Sequence, residues 1–244
     1  MPSAMQLLWA QTVQKRFGAL TVLDGVDFAV GAQDAVGIVG PNGAGKTTLL
    51  NVLAGSLHPE AGSVWFNGED VTRTSPERRS RLGIGRAHQV PRPFGDMTVF
   101  ENVLVGAMTG AGLKRVKAYE RSLQVLEDCG LLPLCNRRAE SLGLLHRKRL
   151  ELARALATGP SILLLDEIGA GLTDEEAQEL VVTIKGIRAQ GIAIVWIEHI
   201  VHVLVQVVER LVCMDAGKVI ADGDPDAVMR DAAVIDAYLG SGVV

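Results

Sequence analysis

Gly40-Pro41-Asn42-Gly43-Ala44-Gly45-Lys46-Thr47-Thr48 decides how the rest of this chain is read. It satisfies the pattern G-x-x-x-x-G-K-[ST] at Gly40, Gly45, Lys46 and Thr47. The apolar run Ala35-Val36-Gly37-Ile38-Val39 enters it, and Leu49, Leu50, Val52 and Leu53 follow it at helical spacing. A strand, a glycine-rich loop and a helix are expected in that order, so the stretch reads as a phosphate-binding loop. Its glycines let successive backbone N–H groups turn inward, and the helix N-terminus adds about half a positive charge facing the same cavity. Lys46 brings a mobile cation to terminal phosphates, and the Thr47 hydroxyl suits an accompanying magnesium ion. Pro41, Asn42, Gly43, Ala44 and Thr48 complete the expected cradle.

The bulk properties narrow the class. At 244 residues the chain is long enough for one large α/β domain with a satellite, and folding should bury about 70–75% of the unfolded surface. Hydrophobic residues make up 48% of it. The richest stretch, Gly191 to Met214, is nevertheless broken by Glu198, His199, His202, Gln206, Glu209 and Arg210, whereas a membrane span needs about 20 apolar residues with few charges. It reads as a buried strand running into an amphipathic helix. The excess apolarity suits a parallel sheet covered on both faces, or an interface with a membrane-embedded partner. A net charge of −4 creates no global field favouring nucleic acid or an anionic membrane surface. Cys129, Cys135 and Cys213 lack metal or disulfide spacing and are expected to be reduced, buried thiols of a cytosolic protein. Residues Met1 to Gln6 show no export signal.

Before the loop, residues 5 to 31 alternate short apolar runs with turns, and Leu20 to Val30 suggests strands. After its helix, Gly62-Ser63-Val64-Trp65-Phe66 reads as a strand, and Asn67-Gly68 suits a tight hairpin turn. These form a small antiparallel layer beside the nucleotide core. Phe17 lies in that layer, placed either to stack on a base or to join the core. Thr74 to Arg81 starts a helix behind Ser75-Pro76-Glu77, with Arg78, Arg79 and Arg81 as a solvated basic face. Gly85 to Phe94 is a strand running into a proline-stiffened loop, with Gln89 at the junction. Helical patterning follows at Thr98 to Ala107, and at Leu113 to Cys129 through Leu113, Val116, Leu123, Leu126 and Cys129. A mostly helical insertion is placed at 94–156 within a single domain spanning 5–240. Arg210 to Ala221 reads as strand, turn and strand about Ala216-Gly217, and Pro225 to Leu239 as a closing helix.

Two further segments carry chemistry. Ile162-Leu163-Leu164-Leu165-Asp166-Glu167 is an apolar run ending in two carboxylates, the pattern of a buried parallel strand whose carboxyl end faces a ligand. There Asp166 can hold the magnesium ion and Glu167 can orient or deprotonate an attacking water. The run Gly191 to Ile197 ends at Glu198-His199, from which His199 can reach a terminal phosphate. The zinc-protease order H-E-x-x-H is absent around His199 and His202, which discounts a metal pair.

Taken in order, Phe17, the loop at 40–48, Gln89, Leu-Glu-Leu-Ala-Arg-Ala-Leu at 150–156, Ile-Leu-Leu-Leu-Asp-Glu at 162–167 and His199 resemble the ATP-binding subunits of ABC transporters over essentially the whole chain. Arg92-Pro93-Phe94, the run Met97 to Val103, Ala170-Gly171-Leu172-Thr173 and Ile197-Glu198-His199 look like the branched-chain or hydrophobic amino-acid uptake branch. The resemblance implies an α/β P-loop NTPase core with a mainly parallel sheet, a small antiparallel β subdomain and a helical subdomain. It also implies ATP and Mg2+ as cofactors, integral membrane permease subunits as partners, and a solute-binding protein acting indirectly. The location implied is the cytoplasmic face of the plasma membrane; no nucleic-acid partner is expected. By the same resemblance Phe17 stacks adenine, Asp166 and Gln89 attend the metal and water, Glu167 is the base, and His199 senses the γ-phosphate.

Two such subunits are expected to pair head-to-tail, each ATP touching the loop of one chain and a Leu-Ser-Gly-Gly-Gln signature of the other. Here that slot reads Leu142-Gly143-Leu144-Leu145-His146, with Ser141 one position early. Losing one hydrogen bond to a charged phosphate costs about 1.5–3 kcal/mol, and two leucines add bulk where backbone should approach an anion. The expectation is a chain that completes its partner's ATP site poorly, and so an asymmetric heterodimer with a second ABC ATPase subunit, a homodimer being the alternative. Competing readings are the energising subunit of a lipid or other exporter, a soluble ABC-type ATPase in DNA repair or translation, and a regulatory ATP-binding subunit.

Overall fold

A computed structural model describes residues 6–240. In chain order its regular elements are β1 (Gln6–Phe17), β2 (Leu20–Gly31), β3 (Ala35–Val39), α1 (Lys46–Ala54), β4 (Ala61–Phe66), β5 (Glu69–Asp70), α2 (Pro76–Leu82), β6 (Ile84–Ala87), α3 (Val99–Val105), α4 (Arg115–Asp128), α5 (Leu144–Ala157), β7 (Ile162–Asp166), α6 (Asp174–Arg188), β8 (Ala193–Ile197), α7 (Val201–Leu204), β9 (Arg210–Asp215), β10 (Lys218–Gly223), α8 (Pro225–Met229) and α9 (Ala232–Gly240). They divide into two units. One runs to Pro76 and resumes at Ala193, and the other is Glu77–Ile192.

The first unit holds an antiparallel sheet in the order β2-β1-β4-β5. Gly18 turns β1 into β2 at a φ of 60°, and Asn67 and Gly68 turn β4 into β5 at 49° and 80°. Two consecutive positive φ values define the type I′ turn that matches strand twist, so the hairpin expected at Asn67-Gly68 forms. Trp9 and Trp65 face each other across the β1–β4 ladder with ring centroids 5.8 Å apart. Beside this layer β3 runs parallel to β8 and β9, and β10 is antiparallel to β9, as the strand–turn–strand pattern about Ala216-Gly217 anticipates. Every residue of β3 and β8 is buried, as strands covered on both faces must be. Gly37 is a glycine because a Cβ there would lie 2.7 Å from Leu204 and 2.8 Å from Leu211 side-chain carbons.

Two sequence expectations in this unit need correction. The amphipathic helix after β8 is a single turn, α7, although Val203, Leu204, Val207 and Val208 are buried as its apolar content requires. The closing helix is split into α8 and α9. The Asp231 carboxylate accepts from the Ala233 N–H at 2.8 Å, which caps a new helix where one continuous helix was expected.

In the second unit β6 and β7 pair in parallel from Ile84↔Ile162 to Ala87↔Leu165. Between them stand α3, α4 and α5. Thr98 and Glu101 form a capping box at the start of α3, and a π-helical turn, Gly106–Gly110, continues it. A Cβ at Gly106 would lie 2.7 Å from the Arg154 carbonyl of α5, so glycine permits that close approach. The stripe expected on the helix before Cys129 is misplaced. Val116 and Leu123 are exposed, and the buried face is Ala118, Ser122, Val125, Leu126 and Cys129. Ala118 and Ser122 are small members of that face, and the Ser122 hydroxyl is satisfied by donating to the Ala118 carbonyl at 2.7 Å. Nor is α2 a wholly solvated basic face, because Arg79 is fully buried while Arg78 and Arg81 are exposed.

Candidate functional site

The loop at 40–48 owes its shape to glycines that nothing else can replace. Gly40 has a φ of 140°, and a Cβ there would run into the Met214 carbonyl. Gly45 has a φ of 101°, with a Cβ 2.7 Å from the Val22 carbonyl oxygen. Side chains are thus excluded at both fixed glycines by backbone conformation and by space. Gly45 is also the N-cap of α1 and offers no capping side chain, so the first-turn N–H groups of α1 remain aimed into the loop. Lys46 is buried and folded back, its Nζ donating to the carbonyls of Gly40 at 2.6 Å and Pro41 at 3.0 Å. A cationic head, a cluster of peptide donors and an uncapped helix start together make an anion cradle. Asn42, Gly43 and Thr47 are exposed, whereas Ala44 is buried and Thr48 half-buried.

Two other expected site residues belong to the same unit. Phe17 ends β1 with half its surface exposed, and Lys15 Nζ stands 5.4 Å from its ring centroid. The Phe17 side chain is thus not part of the core. His199 is exposed just beyond the end of β8, next to a buried Glu198 whose carboxylate accepts from the Trp196 indole N–H at 3.2 Å.

The second unit holds Gln89, Asp166 and Glu167. The Gln89 amide Nε2 donates to the Glu167 carboxylate at 2.5 Å. Glu167 has a φ of 47°, a left-handed conformation that a non-glycine residue adopts at some cost and that turns its side chain sharply away from β7. Asp166 ends β7, buried, in an ion pair with Arg86 of β6 at 3.1 Å. Lys148 of α5 is buried and donates to the Gln89 carbonyl at 2.6 Å. Further along α5, Arg154 donates to the Arg92 carbonyl at 2.8 Å and lies 4.9 Å from the Phe94 ring centroid. One helix therefore holds the proline-stiffened loop at two points. His88, beside these cations, has its pKa lowered chiefly by burial and then by Arg86.

The segment 142–146 runs from the residue before the N-cap into the first turn of α5. Gly143 is the N-cap without a capping side chain, Leu144 is exposed and Leu145 is buried. The Ser141 hydroxyl donates to the Arg138 carbonyl at 2.8 Å.

Three residues in these arrangements escaped the sequence reading. Arg86 carried a signal, a cation inside the apolar strand Ile84–Ala87. Lys148 carried a fainter one, since it shares the buried stripe of Leu145 and Leu152. Tyr238, whose hydroxyl accepts from the Gly40 N–H at 2.9 Å, carried none, because the two are 198 positions apart.

Residues 23–170 match the ABC transporter family. Residues 218–244 match the family described as branched-chain amino acid ATP-binding cassette transporter. The chain is 32% identical to the probable branched-chain amino acid transport ATP-binding protein LivG of Methanocaldococcus jannaschii, over 98% of this chain and 100% of that one. It is 34% identical to the lipopolysaccharide export system ATP-binding protein LptB of Acidithiobacillus ferridurans, over 96% and 97% respectively. A crystal structure of the ADP conformation of an ATP-binding cassette of an ABC transporter superposes with a TM-score of 0.87 at 32% identity, covering 97% of this chain and 99% of that one.

Proposed function

This chain belongs to the ABC transporter family and is an ATPase of it, and on that premise we propose that it is the motor subunit of an importer for branched-chain amino acids or related small solutes. The observation that carries the cargo class is the match at residues 218–244, because a phosphate loop alone says nothing about what is moved. ATP lies with its phosphates on the N–H groups of 40–48, and Lys46 swings from the Gly40 and Pro41 carbonyls to the terminal phosphates. Phe17 stacks the adenine on the open part of its ring. Glu167 takes the proton of the water that attacks the γ-phosphorus, while the leaving bridging oxygen departs on ADP. The Gln89 amide holds that carboxylate in place, and His199 hydrogen-bonds the γ-phosphate.

Each residue read as a magnesium ligand, Thr47, Gln89 and Asp166, carries an oxygen donor, the hard ligand this ion prefers. Among the described residues no group of three or more His, Cys, Asp or Glu side chains is placed to hold a metal. Held by Thr47, Gln89 and Asp166, Mg2+ would supply neutralisation of phosphate charge. Arg86 already balances the Asp166 carboxylate, so this chain orients that ligand by itself.

The altered signature supports an asymmetric heterodimer. Leu144 and Leu145 occupy the glycine positions and the Ser141 hydroxyl is engaged with Arg138, so ATP facing this segment turns over slowly. ATP on this chain's own loop is hydrolysed against an intact partner signature. Permease subunits anchor the pair at the inner membrane face, and a solute-binding protein delivers cargo; no helix among the described residues is long and apolar enough to cross a membrane itself. Single-site turnover in the assembled complex tests this: equal hydrolysis at both sites refutes the asymmetry. The likeness to LptB favours one second reading, an exporter motor. Purification from native membranes separates them: amino-acid permeases support import, lipid-export partners support the second reading, and a ribosome or DNA complex ends both.

A further inference from the structure

The C-terminal helix reaches the phosphate loop. Gly40 is the first residue past β3, and the ladder that pairs Val39 with Cys213 ends there. Its N–H is therefore a peptide donor at the mouth of the loop, and the Tyr238 hydroxyl accepts it at 2.9 Å. Gly40 has a φ of 140°, and a Cβ there would meet the Met214 carbonyl, so the position is closed to any side chain. On α9, Val234 is buried and Tyr238, four residues later, is half-buried on the same face. Asp231 caps the helix. Burial raises the Tyr238 pKa, with the neighbouring Cys213 adding to the effect and the hydrogen bond from the Gly40 N–H opposing it. Cys213 is itself pushed up to about 11, chiefly by burial and opposed by Lys46.

We propose that Tyr238 is a positioning residue for nucleotide, and that the docking of α9 and the occupancy of the phosphate loop are coupled through the Gly40 peptide. Tyr238 acts on the nucleotide indirectly, by holding the first peptide of the cradle. This gives the segment 218–244, which matches the branched-chain amino acid cassette family, a physical task at the nucleotide site. Coupling of this kind is reciprocal: what Tyr238 contributes to nucleotide affinity, bound nucleotide returns to the docking of α9. The inference rests on the reading of 40–48 as the nucleotide site.

Two measurements on the full chain test it, with ADP as the probe so that no turnover intervenes. By calorimetric titration, Tyr238→Phe, which keeps the ring and removes the acceptor, should weaken ADP binding about 2- to 10-fold, the range of one neutral hydrogen bond. By hydrogen exchange, ADP should slow exchange across 40–48 and also across 232–240 in the wild-type chain, and the second effect should be lost in Tyr238→Phe. Wild-type affinity in Tyr238→Phe, or slowing at 40–48 without slowing at 232–240, overturns the coupling and leaves the nucleotide reading intact. The exchange measurement on the wild-type chain decides the matter even if the variant folds poorly. No slowing at 40–48 overturns the nucleotide reading and the coupling with it.

Discussion

Replacing Lys148 with methionine should separate catalysis from stability. Lys148 is 2% exposed and its Nζ lies 2.6 Å from the Gln89 carbonyl. A hydrogen bond contributes about 0.5–1.5 kcal/mol net, or about 1.5–3 kcal/mol when the donor is charged. Burying a lysine head group costs several kcal/mol in return, and methionine fills a similar length without that cost. The freed Gln89 carbonyl belongs to an exposed residue, so water can replace the lost donor. These opposing effects nearly cancel, leaving a net change within about 1 kcal/mol and a Tm shift of about 2–4 °C for a chain of this size. The Gln89 backbone, however, loses the anchor that sets its amide 2.5 Å from Glu167. A misplacement of about 1 Å in a catalytic group costs on the order of 100-fold in rate. Lys148→Met should therefore lower kcat by about 10- to 100-fold with KM for ATP little changed, since the loop at 40–48 is untouched. Phosphate release by the complex with its permeases, read beside a thermal melt, measures both. An unchanged kcat, or a loss of rate matched by unfolding, refutes the reasoning.

Other perturbations follow from the same geometry. Glu167→Gln should abolish hydrolysis by at least about 100-fold, the lower end of what general-base catalysis supplies, while nucleotide titration shows affinity retained. Gly45→Ala should abolish nucleotide binding and lower the melting temperature. Its Cβ would stand 2.7 Å from the Val22 carbonyl at a φ of 101°, and such a conformation costs about 1–3 kcal/mol before any clash. Burial pushes the Cys129 thiol up to about 12 and the Cys213 thiol up to about 11, from 9.0. Both are neutral in the folded chain where an unfolded thiol would ionise, so the unfolded chain loses protons first and stability falls with pH. Their contribution is fully present below about pH 9 and is lost as pH rises towards 11–12, which denaturant midpoints across that range will show. At pH 8 a thiol reagent should modify Cys135, which is only partly buried, ahead of the other two.

The features legible in the sequence are those whose chemistry is written at fixed, short spacing. The loop at 40–48 needs a strand before it and a helix after it, and β3 and α1 supply them. The apolar run before Asp166 forms the buried strand β7, and Asn67-Gly68 makes its turn. Periodicity reports which side of its own element a residue occupies, and it does so well when the buried face is large and apolar. It misread α4, whose buried face includes Ala118 and Ser122, and it could not show Arg79 to be buried. It says nothing about what a residue meets across the fold. Arg86 and Asp166 are 80 positions apart, and Lys148 and Gln89 are 59 apart. Each cation answers a need created by a distant element, so neither pairing leaves a local pattern.

Those pairings bear on the altered segment at 142–146. It forms the first turn of the same helix whose later turns hold Gln89 through Lys148 and Arg92 through Arg154. The helix therefore keeps its course for reasons internal to this chain, whatever its first turn offers a partner. Within that turn the positions are not equivalent. Gly143 has open space around it and Leu144 is exposed, so both can change with little effect on packing. Leu145 is buried, and truncating a core leucine costs about 2–5 kcal/mol, with about 1 kcal/mol more for glycine inside a helix. The second glycine of an intact signature cannot be restored here without removing a core side chain from the element that positions Gln89. The proposed asymmetry therefore asks nothing of α5 that conflicts with its hold on Gln89 and Arg92.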